Sequence, residues 1–149
     1  MTATDITLDT NILFYAFDPA DPKKHSVAKK VLAACYDRSA PVTLQCLSEF
    51  YRAATKKQLV PPGKAAAIIS DLRKGMSIIP AAEADLVSAM RLHQQHGFQF
   101  FDCLIVATAA RNGCLTLFSE DFQHKQAISN LTILNPFQMN ETDLTALLN

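Results

Sequence analysis

The segment FFDCLIVATAARNGCLTLFSED, at residues 100–121, decides the fold of this chain. Its first half predicts a helix that begins at Asp102, is apolar on nearly all sides, and ends before Gly113, as is typical of a buried helix. The short apolar run 114–118 is typical of a strand buried on both faces. Polar residues follow that strand: Ser119, Glu120 and Asp121. Because ligands of open α/β sheets bind outside the carboxyl ends of the strands, we expect Asp121 at a binding site with Asp102 beside it.

The rest of the chain alternates short apolar runs with amphipathic segments. This pattern predicts an α/β protein of three layers, α/β/α, around a short, mainly parallel sheet of five strands. The strands are predicted at residues 6–8, 41–44, 77–79, 114–118 and 132–134. Further helices are predicted at residues 12–15, 23–36, 46–58, 61–75, 82–96 and 142–148. In the helix at 82–96 we expect four residues on the inner side: Leu86, Ala89, Met90 and His93.

Length and composition favour one globular domain. The chain has 149 residues, of which 49% are hydrophobic. We therefore expect a single domain over residues 1–149, with its core at about 5–137 and a short terminal helix at about 142–148. No apolar run reaches the roughly 18 residues of a membrane span, and acids interrupt the N-terminal segment. A cytoplasmic protein without membrane contact is the resulting expectation.

Cysteines, glycines and charge exclude several classes of site. The cysteines form no C-x-x-C pair, which favours reduced core thiols over zinc: Cys35, Cys46, Cys103 and Cys114. A nucleotide-phosphate loop is not indicated, since no G-x-G-x-x-G or G-K-[ST] occurs. The formal net charge is zero, yet residues 1–75 carry a net +4 and residues 76–149 a net −4. Such asymmetry is compatible with a basic face for a polyanion or with solvated helix faces.

Four acids are predicted at the same edge of the sheet: Asp9 after the first strand, Glu49 on the helix after the second, Asp102, and Asp121. Converging carboxylates raise one another's pKa and are tolerated at neutral pH when a cation lies between them. Oxygen ligands without His or Cys favour Mg²⁺ or Mn²⁺, as one or two ions, and a metal-activated water could then attack a phosphodiester. Two alternatives stay open: a helix N-cap for Asp9, and a surface ion pair of Glu49 with Arg52.

Four stretches resemble the motif blocks of PIN domains, and in particular those of the VapC-type toxins of bacterial toxin–antitoxin pairs. They are LDTNILFYAF, LSEFYRAATKK, FFDCLIVATAARNGC and LFSEDFQ. The resemblance implies a metal-dependent ribonuclease that uses the acids at Asp9, Glu49, Asp102 and Asp121. It also implies a homodimer and a cognate antitoxin that inserts a peptide into the site. Residues expected to support the acids or the metal waters are Thr10, Asn11 and Ser119. One departure concerns the loop after the fourth acid, where many relatives have Gly and this chain has His124, Lys125 and Gln126.

Basic residues on the helix of Glu49 suggest a path for RNA. Arg52 and Lys56 follow Glu49 at i+3 and i+7, on nearly the same side, whereas Lys57 is turned about 100° further round. We expect Arg52 and Lys56 to bind phosphates flanking the scissile bond. His93 and His96 are spaced i, i+3 without an acid, and we expect them to complement a helix dipole instead of binding metal.

Two other functions compete with the nuclease. An aspartate after a strand also accepts phosphoryl groups in haloacid-dehalogenase-like and receiver folds, but the D-x-D pattern is absent at Asp9. The second alternative is a non-catalytic interaction or RNA-binding module that kept the fold. The presence of four acids weighs against it, since a structural role needs none of them.

Overall fold

The computed structural model describes residues 5–149, so residues 1–4 of the predicted domain lie outside the described residues. The strands are β1 (Ile6–Leu8), β2 (Pro41–Thr43), β3 (Ser77–Ile79), β4 (Thr116–Phe118), β5 (Ala127–Ile128) and β6 (Leu131–Leu134). The α-helices are α1 (Thr10–Tyr15), α2 (Pro22–Asp37), α3 (Leu44–Lys56), α4 (Pro62–Gly75), α5 (Glu83–His96), α6 (Phe100–Arg111) and α7 (Glu141–Leu148). A single 3₁₀ turn at Pro136–Gln138 precedes α7.

The strands form two sheets. One has the order β1-β4-β6-β5, in which β5 alone is antiparallel to its neighbour, and the other pairs β2 with β3 in parallel. The α/β class and the mainly parallel sheet are confirmed, whereas a single sheet of five strands is wrong. β2 lies near β1 but belongs to the other sheet. Pro41 of β2 has no N–H with which to pair with β1, and the contact between them is a side-chain one, in which the Thr7 hydroxyl donates to the Pro41 carbonyl at 2.7 Å. The pattern also misses β5, which is two residues long and therefore has no periodicity to detect.

Helices cover both faces of the larger sheet. Side chains of successive strand residues point to opposite faces, and Leu117 and Phe118 of β4 accordingly lie in different hydrophobic clusters. Phe118 packs in a cluster with residues of α1, α2 and α3. Leu117 packs with Ile105 and Val106 of α6. The predicted three-layer arrangement follows from these two clusters.

The buried side of α5 differs from the prediction. Of the four residues expected to face inward, Ala89 is fully buried and the other three are exposed, with Leu86 44% and Met90 41% accessible. Asp85 is buried instead, because its carboxylate accepts hydrogen bonds from Nε of Arg111 at 2.8 and 3.0 Å. This ion pair joins the start of α5 to the end of α6. A burial pattern set by a partner 26 residues away cannot be read from the periodicity of α5 alone.

The C-terminal helix packs on α2. Leu144 of α7 is buried in the same cluster as the α2 side chains, and Arg38 donates to the Leu148 carbonyl at 2.6 Å. All four cysteines are free and buried, and burial raises the pKa of Cys35 to about 12. Among the described residues, no helix has the length and apolar character needed to cross a membrane.

Candidate active site

A pocket of about 330 Å³ lies at the carboxyl ends of β1 and β4. The four predicted acids line it together, although they come from four separate segments of the chain. β1 and β4 are parallel neighbours, so the residues that follow them emerge at the same edge. The complete lining is Asp9, Thr10, Asn11, Glu49, Gln99, Asp102, Ile105 and Asp121.

Asp9 has both roles that the sequence left open, as a pocket residue and as a helix cap. Its backbone N–H donates to the Phe118 carbonyl at 3.1 Å, which fixes it at the end of β1. Its carboxylate accepts from the Ile12 N–H at 3.3 Å and so caps the N-terminus of α1. The residue is only 4% exposed. A cap and an acid of the pocket are therefore compatible in one buried side chain.

Asp121 is held in place by two polar side chains. Ser119, which is fully buried, accepts the Asp121 N–H at 3.0 Å and hydrogen-bonds to Asp9. The amide of Asn11 donates to both carboxylate oxygens of Asp121 at 3.3 Å. The structure thus places Asn11 and Ser119 beside the acids, where the sequence predicts them.

Glu49 is connected to the helix of Asp102 through Gln45. The Gln45 amide donates to Oε1 of Glu49 and, at 2.9 Å, to the Phe101 carbonyl. Asp102 is the third residue of α6, whose N-cap is Gln99, so Asp102 does not cap this helix. The predicted alternative of a Glu49–Arg52 ion pair is not found among the ion pairs of the described residues.

Burial and nearby negative charges raise the pKa of three of these acids. For Asp9, burial first, and then the charge of Asp121, raise the pKa from 3.8 to about 8 against the opposing hydrogen bond with Ser119. For Asp102, burial and the charges of Asp121 and Glu49 raise the pKa to about 6. Burial and the charge of Glu120 raise the pKa of Asp121. A site that resists ionisation in this way is suited to a cation that offsets the charge.

The donor set fits a hard divalent ion. The pocket offers carboxylate oxygens without His or Cys. Thr10 lines its wall, with the hydroxyl oxygen buried. Within residues 5–149, however, no three His, Cys, Asp or Glu side chains form a group compact enough to hold a metal. Carboxylates that repel one another stay apart, so an ion would have to draw them inward.

A basic groove adjoins the pocket. It has a volume of about 230 Å³ and shares Thr10, Asn11 and Glu49 with the acidic pocket. Ala53 and three cations complete its lining: Arg52, Lys56 and Lys57. The ammonium of Lys57 also lies 4.7 Å from the centroid of the Phe14 ring. The acids and the cations of α3 therefore lie along one continuous depression.

The remaining predicted features lie outside the pocket. His93 and His96 are in the last turn of α5, where Nδ1 of His93 is 2.6 Å from the Phe98 carbonyl oxygen and His96 stacks on the Phe98 ring. In the loop after the fourth acid, Lys125 has a φ of 68°, the left-handed conformation for which Gly is usual. Its N–H donates to the Ile133 carbonyl at 2.8 Å, which stabilises the turn without Gly.

Sequence reasoning missed several residues that shape the site. Gln45 precedes Glu49 by four residues, and this spacing, which places two side chains side by side on a helix, could have indicated their hydrogen bond. Gln99 enters the pocket from the loop before α6, which no pattern indicates. Lys24 and Tyr15 bind Glu120, the neighbour of Asp121. Both are far from Glu120 in sequence, so no local pattern indicates these contacts.

Comparison with known protein families identifies the fold. Residues 6–128 match the PIN domain family, which is most of the chain. The chain belongs to the PIN domain family. The match includes all four acids of the pocket and ends before α7. A comparison with curated protein sequences gives no match.

Solved structures with the same fold include toxins. VapC20 of Mycobacterium tuberculosis, a toxin that cleaves the sarcin–ricin loop, is 19% identical over 78% of this PIN domain chain and 92% of its own, with a TM-score of 0.65. A toxin–antitoxin complex from Klebsiella pneumoniae is 21% identical over 91% and 100%, with a TM-score of 0.65. FitAcB from Neisseria gonorrhoeae is 17% identical over 90% and 99%, with a TM-score of 0.59. At these identities the likeness is one of fold.

Proposed function

We propose that this PIN domain is a Mg²⁺- or Mn²⁺-dependent endoribonuclease. The observation that carries the proposal is the single pocket that Asp9, Glu49, Asp102 and Asp121 line together. Helix capping does not explain their shared position, since only Asp9 of the four caps a helix. The raised pKa values of Asp9 and Asp102 indicate that their environment disfavours the charged forms unless a cation is present.

Asp9, Asp102, Asp121 and Glu49 would hold one or two ions. When bound, such an ion lowers the pKa of a water molecule and offsets the charge of a phosphodiester. The protein's own part is to orient the carboxylates. Asn11 and Ser119 fix Asp121, Gln45 directs Glu49, and Thr10 lines the pocket wall beside them.

Arg52 and Lys56 would bind the RNA backbone. Both line the groove that continues from the acidic pocket, so a strand with its scissile phosphate at the acids would bring flanking phosphates to these cations. Phosphate contacts from Arg and Lys position a nucleic acid without specifying its sequence. In this arrangement the acids would carry out the cleavage chemistry, and the cations would position the substrate.

We further propose that the protein is the toxin of a toxin–antitoxin pair, acts in the cytoplasm and has a cognate antitoxin as partner. Membership of the PIN family and the likeness in fold to VapC20 and to the Klebsiella complex support this proposal. We propose residues 1–149 as one domain, with α7 docked on α2. A homodimer is also proposed, and exposed apolar residues of α5 support it: Leu86, Val87 and Met90.

A non-catalytic RNA-binding module is the second candidate. The spacing of the acids favours it, because no three of them form a compact metal-binding group. An internally labelled RNA incubated with the protein and Mg²⁺, Mn²⁺ or excess EDTA distinguishes the two. The nuclease proposal expects internal cleavage products with either ion and none in EDTA. Retarded but intact RNA under all three conditions would instead establish the binding module.

A further inference from the structure

Two consecutive acids follow β4, but they face different neighbours. Asp121 lines the acidic pocket, and Glu120 does not. The side chain of Glu120 is only 18% exposed and contacts α1 and α2 on the other side of the loop. A carboxylate so close to a cation-binding pocket would compete with Asp121 unless something held it away.

Both oxygens of Glu120 are occupied by donors from other elements. The hydroxyl of Tyr15, at the end of α1, donates to Oε1 at 2.6 Å. The ammonium of Lys24, in the first turn of α2, donates to Oε2 at 2.8 Å. With both oxygens bound, the Glu120 carboxylate is directed toward these two helices.

Aromatic rings hold Lys24 in this position. Its ammonium lies 4.9 Å from the centroid of the Tyr15 ring and 5.2 Å from that of Phe137. Tyr15 and Phe137 pack edge to face, with centroids 5.4 Å apart. The hydrogen bond with Glu120 raises the pKa of Lys24, and burial, together with Glu120, raises the pKa of Tyr15, so both groups stay protonated donors. Cation–π contacts and a charged hydrogen bond thus converge on one ammonium.

We propose that Lys24 is a positioning residue that, together with Tyr15, sequesters Glu120, so that Asp121 alone of the two consecutive acids faces the pocket. This inference rests on the proposed function, since it concerns which carboxylates are presented to a divalent ion. Without Lys24, Glu120 would carry an unbalanced charge beside the site, and the Tyr15 hydroxyl alone would oppose its turning toward a bound cation. The ion would then be held by one carboxylate too many, and Asp121 would lose its orientation.

The test compares Lys24→Met, Glu120→Gln and the double variant. RNA cleavage gives kcat and KM, and electron paramagnetic resonance of added Mn²⁺ gives the metal affinity without RNA. Lys24→Met is expected to lower kcat at least about tenfold and to leave KM within about twofold. It should also bind Mn²⁺ more tightly, because a carboxylate has been released. The double variant should recover most of the lost kcat, since Gln does not compete for the ion.

A merely structural ion pair would behave differently. Lys24→Met and Glu120→Gln would then lose activity alike, the double variant would be no more active than Lys24→Met, and Mn²⁺ affinity would not change. Any of these results would overturn the inference. Lys24→Arg keeps the charge and should stay close to wild type. The matched control is Lys30→Met, which removes another α2 cation, paired with Glu141 at 3.4 Å, and should leave kcat and Mn²⁺ affinity unchanged.

The nuclease function and the positioning role of Lys24 can be contradicted by different results. Wild-type protein that binds Mn²⁺ but cleaves no RNA would contradict the nuclease, while the Mn²⁺ measurements on the variants would still test the role of Lys24. Wild-type protein that cleaves RNA while Lys24→Met has an unchanged kcat would contradict only the positioning role. Wild-type protein that neither binds Mn²⁺ nor cleaves RNA would overturn both the nuclease function and the role of Lys24.

Discussion

The side-chain amide of Asn11 lies 3.3 Å from each carboxylate oxygen of Asp121, although the two residues are 110 positions apart. This contact ties the first turn of α1 to the loop after β4. It is the kind of outer contact that orients a metal-binding carboxylate. Asn11 therefore matters through Asp121, without needing to touch a substrate.

Asn11→Asp should lower kcat. The new carboxylate is almost the same size as the amide but repels Asp121, and loss of such a contact typically costs about 10- to 100-fold in activity or metal affinity. Initial rates of RNA cleavage at saturating Mg²⁺ measure the effect. Asn140→Asp, at the N-cap of α7, makes the same exchange away from the pocket and should have normal activity. An Asn11→Asp enzyme with wild-type kcat would exclude this role.

Asp102→Asn should abolish cleavage while leaving the melting temperature unchanged or higher. Burial, and then the charges of Asp121 and Glu49, disfavour the ionised form of Asp102, and the N-cap position of α6 is occupied by Gln99, so the substitution removes no cap. Asp143 occupies the same third position in α7 and provides the control. Asp143→Asn loses a favourable interaction with the helix dipole and should not raise the melting temperature. Thermal denaturation in EDTA checks both variants, and a large loss of stability in Asp102→Asn would contradict the account.

The stability of the metal-free protein should fall as pH rises from about 4 to about 8. The folded-state pKa of Asp9 is raised to about 8 from 3.8, so the folded protein holds a proton that the unfolded chain releases in this range. One such proton gives a slope of at most about 1.4 kcal/mol per pH unit. Chemical denaturation in EDTA at several pH values measures it. Asp9→Asn keeps the helix cap and should reduce the slope, whereas an equal slope in that variant would place the proton elsewhere.

Much of this fold was predictable because its elements are local. β3 coincides with the run at 77–79, and α3, predicted at 46–58, buries an apolar stripe at helical spacing: Leu47, Phe50 and Ala54. Asp9 and Asp121 converge because the parallel strands β1 and β4 end at the same edge of the sheet, and Glu49 and Asp102 reach this pocket from α3 and α6. The features that the sequence did not predict depend on pairs of side chains that are distant in sequence. Asp85 is buried because Arg111 pairs with it, and the contact of Lys24 with Glu120 spans 96 residues without a pattern in either segment.

Arg52→Ala and Lys56→Ala should each weaken RNA binding and flatten its salt dependence. Each removes about one phosphate contact, which reduces the slope of log K against log salt by about 1. Lys57→Ala should have a smaller effect, since the Lys57 ammonium lies over the Phe14 ring. RNA affinities at several salt concentrations, with Asp102→Asn as the background to prevent cleavage, measure these slopes. Lys74→Ala, an exposed cation of α4, is the control. Unchanged slopes for Arg52→Ala and Lys56→Ala would place the RNA on another face.

The most direct test of the acidic pocket is restoration of RNA cleavage by metal after the purified protein has been stripped with EDTA. Wild-type protein should be inactive after stripping and should recover with either Mg²⁺ or Mn²⁺. Asp102→Asn, prepared in parallel, should recover with neither, which also excludes a contaminating nuclease. Full cleavage by stripped wild-type protein in excess EDTA, or recovery of Asp102→Asn to the wild-type rate, would contradict the proposal that these carboxylates hold the catalytic ion.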